Sequence, residues 1–334
     1  MGKVKSIRQA KIIDRLLSVI LEKMPEFDYT NKQTCEEYYL HTISVLQNAD
    51  RLFESEKTYI LYFRVASYQE DIGNYWLSER HYNRHLDISK NLFGSKSKET
   101  GKSLNNLANL YHSIGKYDEA IRCYFKVVEI YKKELGKESS WVATALNNLA
   151  VSYRAKGNLS EAISLYLQAL NIDEKTIGKN HPNYATRLSN LATAYRGQNK
   201  INEAISICKE AIELDEKNGR TNHPNYALRL NTLGNIYDSQ EKYEIAIKFY
   251  NKSLEVSKSS IGSHHPNYAI KLNNLALVYF KTENFNTALL LLEEALQIWE
   301  KNLPNNHEFI QQTMDYIQLC KKRLLNPSST NNEN

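Results

Sequence analysis

The chain has 334 residues, 42% of them apolar and 24% charged, with six prolines, twelve glycines and a formal net charge of +5. No run approaches the ~18 consecutive apolar residues of a membrane-crossing helix. So little proline and glycine also excludes a loop-rich or low-complexity chain.

Residues 3 to 24 predict an amphipathic helix, in which Ile7, Ile12, Ile13, Leu16, Leu17, Ile20 and Leu21 oppose Lys3, Lys5, Arg8, Lys11 and Arg15, and Pro25 stops it. Six basic residues here face two acidic ones, which leaves the rest of the chain nearly neutral. The excess of base is therefore local, and nucleic-acid binding is not expected. Met1-Gly2-Lys3-Val4-Lys5-Ser6 fits the loose pattern for N-myristoylation, and the bases that follow would supply a second membrane signal. Short patterns with free positions arise often by chance, so a capping helix over the first repeat is the expected role.

Residues 33 to 53 continue as helix, and 57 to 93 form a degenerate repeat with Val65, Ala66, Gly73 and Tyr82 in phase. From Leu104 the stretch Leu104-Asn105-Asn106-Leu107-Ala108 returns every 42 residues, at Leu146, Leu188, Leu230 and Leu272. A tyrosine follows the second leucine of each copy (Tyr111, Tyr153, Tyr195, Tyr237, Tyr279), then an alanine (Ala120, Ala162, Ala204, Ala246, Ala288). A fixed period of this size signals a solenoid.

With that second leucine numbered 7, the apolar or small positions 4, 7, 8 and 11 fall on one face at 100° per residue and predict a buried helical stripe. Turn residues follow at Gly115, Gly157, Asn199, Glu241 and Glu283. A second amphipathic helix then carries Ala120, Tyr124 and Val127, or Ala162, Tyr166 and Ala169. Two such helices cannot bury both stripes alone, so each pair must stack on the next. The segment 305–325 predicts a C-terminal capping helix with Ile317 in phase, and the polar 326–334 a disordered tail.

This pattern resembles the tetratricopeptide repeat, in the 42-residue form of kinesin light chains and of repeat arrays in NLR-like signalling proteins, through the joints His181-Pro182, His223-Pro224 and His265-Pro266, each followed by Asn-Tyr-Ala. The resemblance implies an all-α fold, a right-handed superhelical solenoid of stacked antiparallel helix pairs. Its expected domains are a terminal segment 1–56, an array of about six helix pairs at 57–304, strongest over 99–301, and the cap 305–325.

Positions 2, 6, 9 and 13 lie opposite the buried stripe, on the side that lines the inner curve of stacked pairs. Position 6 reads Asn106, Asn148, Asn190, Thr232 and Asn274, and position 5 reads Asn105, Asn147, Ser189, Asn231 and Asn273. Asparagine is a mediocre helix former, and its amide offers donor and acceptor to an extended backbone. In kinesin light chains and their relatives the matching asparagines line a peptide groove, which implies that role for Asn106, Asn148, Asn190 and Asn274. The candidate peptide-binding set adds Asn105, Asn109, Asn147, Asn231, Asn235 and Asn273, with Arg154 and Arg196 for acidic ligand side chains. The alternative is that asparagines at 5 and 6 bond neighbouring helices, as one of each pair is expected to do. Lys102, Arg187, Arg229 and Lys271 are further candidates, although position 3 leans towards the neighbouring helix, and Val151, Leu228, Ile270 and Leu277 offer apolar footing.

His181, His223, His265 and His307 are spaced like ligands of a repeated metal site, but equivalent residues of successive repeats stand ~8–10 Å apart, too far to share an ion. A role at the joint is expected, and no metal or cofactor. The four cysteines, Cys35, Cys123, Cys208 and Cys320, are scattered and read as small core residues of a reducing compartment. No secretory signal is recognisable, so a cytoplasmic location is expected; a bacterial effector exported by another route would look the same. No catalytic motif stands out. The expected function is a non-enzymatic scaffold or adaptor that binds an extended, acidic-hydrophobic peptide segment of a partner protein. The alternatives are the sensor module of an NLR-like system, or a regulator or enzyme acting through residues 1–56.

Overall fold

The computed structural model describes residues 2–27, 31–303 and 307–325, with side chains from Ile7 onward. Met1 and the side chains of residues 2–6, which make up the N-myristoylation pattern, and the tail 326–334 lie outside what is described. Among the described residues are fifteen α-helices and no strand, in two compact units, Met1–Glu161 and Ala162–Asn334.

The first unit holds α1 (Gly2–Lys23), α2 (Lys32–Ala49), α3 (Glu56–Asp71), α4 (Tyr75–Phe93), α5 (Lys98–Ser113), α6 (Tyr117–Leu135) and α7 (Ser140–Ala155). The boundary falls inside α8 (Leu159–Thr176). The second unit continues with α9 (Pro182–Gly197), α10 (Ile201–Lys217), α11 (Pro224–Asp238), α12 (Tyr243–Ile261), α13 (Pro266–Lys281), α14 (Phe285–Asn302) and α15 (Glu308–Leu325). Within each unit consecutive helices pack on one another, as the two apolar faces of every pair require.

The first helix of each pair begins at one place in the repeat, with its N-cap four residues ahead of position 1. There Ser55, Ser97 and Ser139 accept from the backbone N–H of Thr58, Thr100 and Trp141. In the second unit the caps are imidazoles: Nδ1 of His181, His223 and His265 accepts from Asn183, Asn225 and Asn267 N–H at 3.1, 3.1 and 3.0 Å, and Nδ1 of His307 from Phe309 N–H at 3.2 Å. Each cap satisfies a donor that the first turn leaves without an intrahelical partner. After His181, His223 and His265 comes a proline at the first helical position, whose missing N–H costs nothing there. The histidines thus serve the joints.

The turn between paired helices is equally uniform. Position 15 takes positive φ in every pair: Gly73 (79°), Gly115 (77°) and Gly157 (88°), then Asn199 (60°), Glu241 (59°) and Glu283 (57°). The left-handed conformation closes the turn whatever residue occupies it, at a steric cost that only glycine avoids.

Positions 4, 7 and 8 are buried in every complete repeat, for example Leu104, Leu107 and Ala108, and the alanine at position 20 is fully buried from Ala120 to Ala288. Alanine there lets the paired helices approach closely. At Gly234, which replaces the alanine of position 8, an added Cβ would lie 2.7 Å from the ring of Tyr250. The tyrosines of position 11 depart from the expected burial and are half-buried. Tyr111 shows why: its hydroxyl reaches out to donate to Glu79 Oε1 at 3.0 Å.

Candidate functional site

The face formed by positions 2, 6, 9 and 13 is accessible in both units. In the first it presents Lys102, Asn106, Asn109, Thr144, Asn148 and Val151, all half-buried or exposed. In the second it presents Asn190, Leu228, Asn235, Ile270, Asn274 and Leu277, likewise accessible, whereas Thr232 is buried. The helical repeat that hides 4, 7 and 8 turns these positions away from the core.

The asparagines divide by the bonds they make. Asn148 Nδ2 donates to Asn105 Oδ1 at 3.1 Å, and Asn274 Nδ2 donates to Asn231 Oδ1 at 3.1 Å. In both cases position 6 of one repeat clasps position 5 of the repeat before. Asn147 Nδ2 donates in turn to Asn148 Oδ1 at 3.2 Å. Asn231 is buried, while Asn105, Asn147 and Asn273 are half-buried. Asn106 is half-buried and makes no hydrogen bond to the protein. Asn148 and Asn274 keep unused amide capacity even where they clasp, since one side-chain amide carries two donors and a two-lone-pair carbonyl.

Asn109 and Asn235 are engaged differently, each accepting from the hydroxyl of a tyrosine on the second helix of its own repeat. Tyr124 donates to Asn109 Oδ1, and Tyr250 to Asn235 Oδ1 at 2.6 Å. Burial pushes both phenols well above their usual range, so they remain donors. The candidate ligand groups Asn109 and Asn235 therefore also orient core tyrosines.

Arg154 and Arg196, at position 12, are half-buried, and neither forms a salt bridge. Arg154 buries its Nε without a partner, and its charge adds to burial in lowering the pKa of His112. Position 3 is corrected by the structure. Arg187, Arg229 and Lys271 are 3%, 1% and 5% exposed, so none of them reaches a ligand face. Arg187 Nη1 lies 2.6 Å from Asp173 Oδ2, and Arg229 Nη1 lies 2.6 Å from Asp215 Oδ2. Arg229 also donates to the carbonyls of Ala185 and Pro182, both at 3.3 Å, and to Thr186 Oγ1 at 3.1 Å. Lys271 Nζ instead donates to Asn267 O at 2.9 Å, and burial lowers its pKa to about 8.

One element of this face escaped the sequence pattern. Trp141 at the start of α7 is 38% exposed, with Lys98 Nζ 4.1 Å and Lys102 Nζ 5.3 Å from its ring centroid and Tyr131 against it edge-on. Its signal was present, since a tryptophan stands where later joints carry Asn183, Asn225 and Asn267. Among the described residues no group of three or more histidine, cysteine or acidic side chains is placed to hold a metal ion, and no helix is long and apolar enough to cross a membrane.

The tetratricopeptide repeat family model matches residues 57–133, 141–217, 198–259 and 226–301. No curated protein sequence matches the chain significantly. Among solved structures, a Rap protein complexed with Competence and Sporulation Factor is matched over 96% of this chain and 99% of its own, at 14% identity and a TM-score of 0.57. BtubC (BKLC) from P. vanneervenii is matched over 75% of this chain and 92% of its own, at 18% identity and a TM-score of 0.54. TPR-like repeats assigned to a kinesin light chain of Podosopora anserina are 25% identical over 61% of this chain and 97% of theirs, with a TM-score of 0.48. The first two likenesses are ones of fold.

Proposed function

The chain belongs to the tetratricopeptide repeat family, and from that premise we propose that it is a protein-interaction scaffold whose asparagine-bearing face binds an extended peptide segment of a partner protein. The observation that carries this reading is the half-buried, accessible asparagine at position 6 in each unit: in the first, Asn106 has an unused amide and Asn148 retains donor and acceptor capacity beyond its clasp, and in the second Asn274 does the same. Amides at the same position of successive repeats within a unit bond a peptide main chain whatever its side chains are. Arg154 and Arg196 beside the row favour acidic side chains. Leu228, which is 50% exposed, and Val151, Ile270 and Leu277 favour apolar ones. The role is binding, with no catalytic step.

Selection of a displayed library of random linear peptides on the full chain tests the reading. Enriched peptides should be rich in Asp, Glu and apolar residues, and Asn106→Ala/Arg154→Ala should weaken them about tenfold with an unchanged melting temperature. Enriched peptides that bind the variant as well as the parent, or no enrichment at all, would overturn it.

A further inference from the structure

A second recognition surface lies on the first unit, away from the asparagine row. On α5, Thr100 and Leu104 point nearly opposite to Asn106 and Asn109 at 100° per residue. They help to form a hollow of about 750 Å³ between the ends of α4 and α6, within the roughly 300–1,000 Å³ typical of small-molecule sites. Its floor is apolar, built from Leu86 and Leu104, both buried, and the half-buried Ile130.

The rim carries Lys90, Lys96, Lys126, Lys132, Lys133 and Lys137 against a single acid, Glu129. Lys90 pairs with Asp87 at 3.1 Å. The other five form no salt bridge, and all are exposed. Ordinary solvated helix faces mix signs and pair them at i, i+3 or i+4, as Arg122 and Glu119 do on the same helix. Here six lysines outnumber one acid around an apolar floor, a charge pattern complementary to an anion that also has a greasy body.

We propose that this hollow binds a small amphipathic anion, an alkyl chain of medium length that ends in a phosphate or carboxylate. The chain lies on Leu86, Leu104 and Ile130, and the head is held by the lysine ammonium groups, which act as mobile point charges. Size sets the length: Lys126 to Lys133 along α6 spans about 10 Å, too short for an extended peptide to gain much from the rim.

Titration calorimetry of the full chain with octyl phosphate, octanol and inorganic phosphate tests the assignment. Octyl phosphate should bind saturably with one-to-one stoichiometry and weaken as salt rises, while octanol and inorganic phosphate bind at least about tenfold more weakly. Lys126→Glu/Lys133→Glu should cost about tenfold in octyl phosphate affinity with an unchanged melting temperature, because both side chains are exposed. Ile130→Glu should abolish binding, and Ile130→Leu should preserve it. Octyl phosphate binding that the charge reversal leaves unchanged, inorganic phosphate binding of equal strength, or binding of phosphatidylglycerol vesicles without any of free octyl phosphate would each overturn it. Because Asn106→Ala/Arg154→Ala leaves this hollow untouched, failure here and failure of the peptide reading are separable.

Discussion

The side-chain amide of Asn148 donates to the side-chain carbonyl of Asn105, one repeat earlier, across 3.1 Å, and Asn274 does the same to Asn231. In the first complete repeat the two neighbouring asparagines thereby take different duties, Asn105 tied to the next repeat and Asn106 left unbonded. Asn105→Ala should cost about 1 kcal/mol of stability, the net worth of a half-buried hydrogen bond, whereas Asn106→Ala should leave stability within about 0.5 kcal/mol. Chemical denaturation of the two variants checks this, and equal losses would deny the division.

The pair Arg229–Asp215 is almost wholly buried, with both side chains 2% exposed. Asp215 also binds Arg220 Nε at 3.0 Å, so Arg229→Met leaves the carboxylate a partner and should cost less than Asp215→Asn, which strands the buried guanidinium and should destabilise by about 3–5 kcal/mol. The double variant Asp215→Leu/Arg229→Met should recover most of that loss, since well-packed apolar side chains replace buried ion pairs at little cost. A thermal-melt series on the three variants would detect non-recovery.

Lys271 occupies the position of Arg187 and Arg229 without their acid. Fourteen residues before each arginine stands Asp173 or Asp215; the matching residue before Lys271 is Ser257, buried with no partner for its hydroxyl. Burial lowers the lysine pKa from 10.5 to about 8. A folded-state value below the unfolded one means that stability from this group is greatest above the unfolded pKa and is lost as pH falls through about 8. Lys271→Met should therefore stabilise the chain at pH 7 by about 1–3 kcal/mol, and the gain should shrink towards pH 10. A gain independent of pH would point to packing alone.

Glu241 and Glu283 hold φ of 59° and 57° where the first three pairs have glycine. Replacing either with glycine relieves a left-handed strain of roughly 1–2 kcal/mol and gives back part of it as unfolded-state entropy. Each variant should gain about 0.5–1 kcal/mol, read as a rise in melting temperature. Gly157→Ala, at φ 88°, should lose a similar amount.

The repeat, its helix pairs and their turns were legible in the sequence because a 42-residue period repeats every local signal five times. The alternation of buried and accessible positions followed from helical geometry. What the pattern did not carry was distance between repeats. A wheel gives the direction in which Arg187 or Asn109 leaves its helix, but not whether the next helix stands there to receive it. The fourteen-residue offset from Asp173 to Arg187 and from Asp215 to Arg229 was a readable sign of those buried pairs. So was tyrosine fifteen residues after Asn109 and Asn235. The lysine-rimmed hollow had no such sign, because its residues come from three helices and two joints whose meeting depends on the stack.

The imidazole joints have a bearing on how the chain meets an acidic medium. An imidazole that takes up a proton stops accepting and becomes a donor, so the helix start that leans on His265, whose pKa burial lowers, would lose its fastening in acid, while those fastened by Ser55, Ser97 and Ser139 would keep theirs. Souring the solution should thus loosen the start of α13 and spare those of α3, α5 and α7, and backbone hydrogen exchange should quicken first at Asn267.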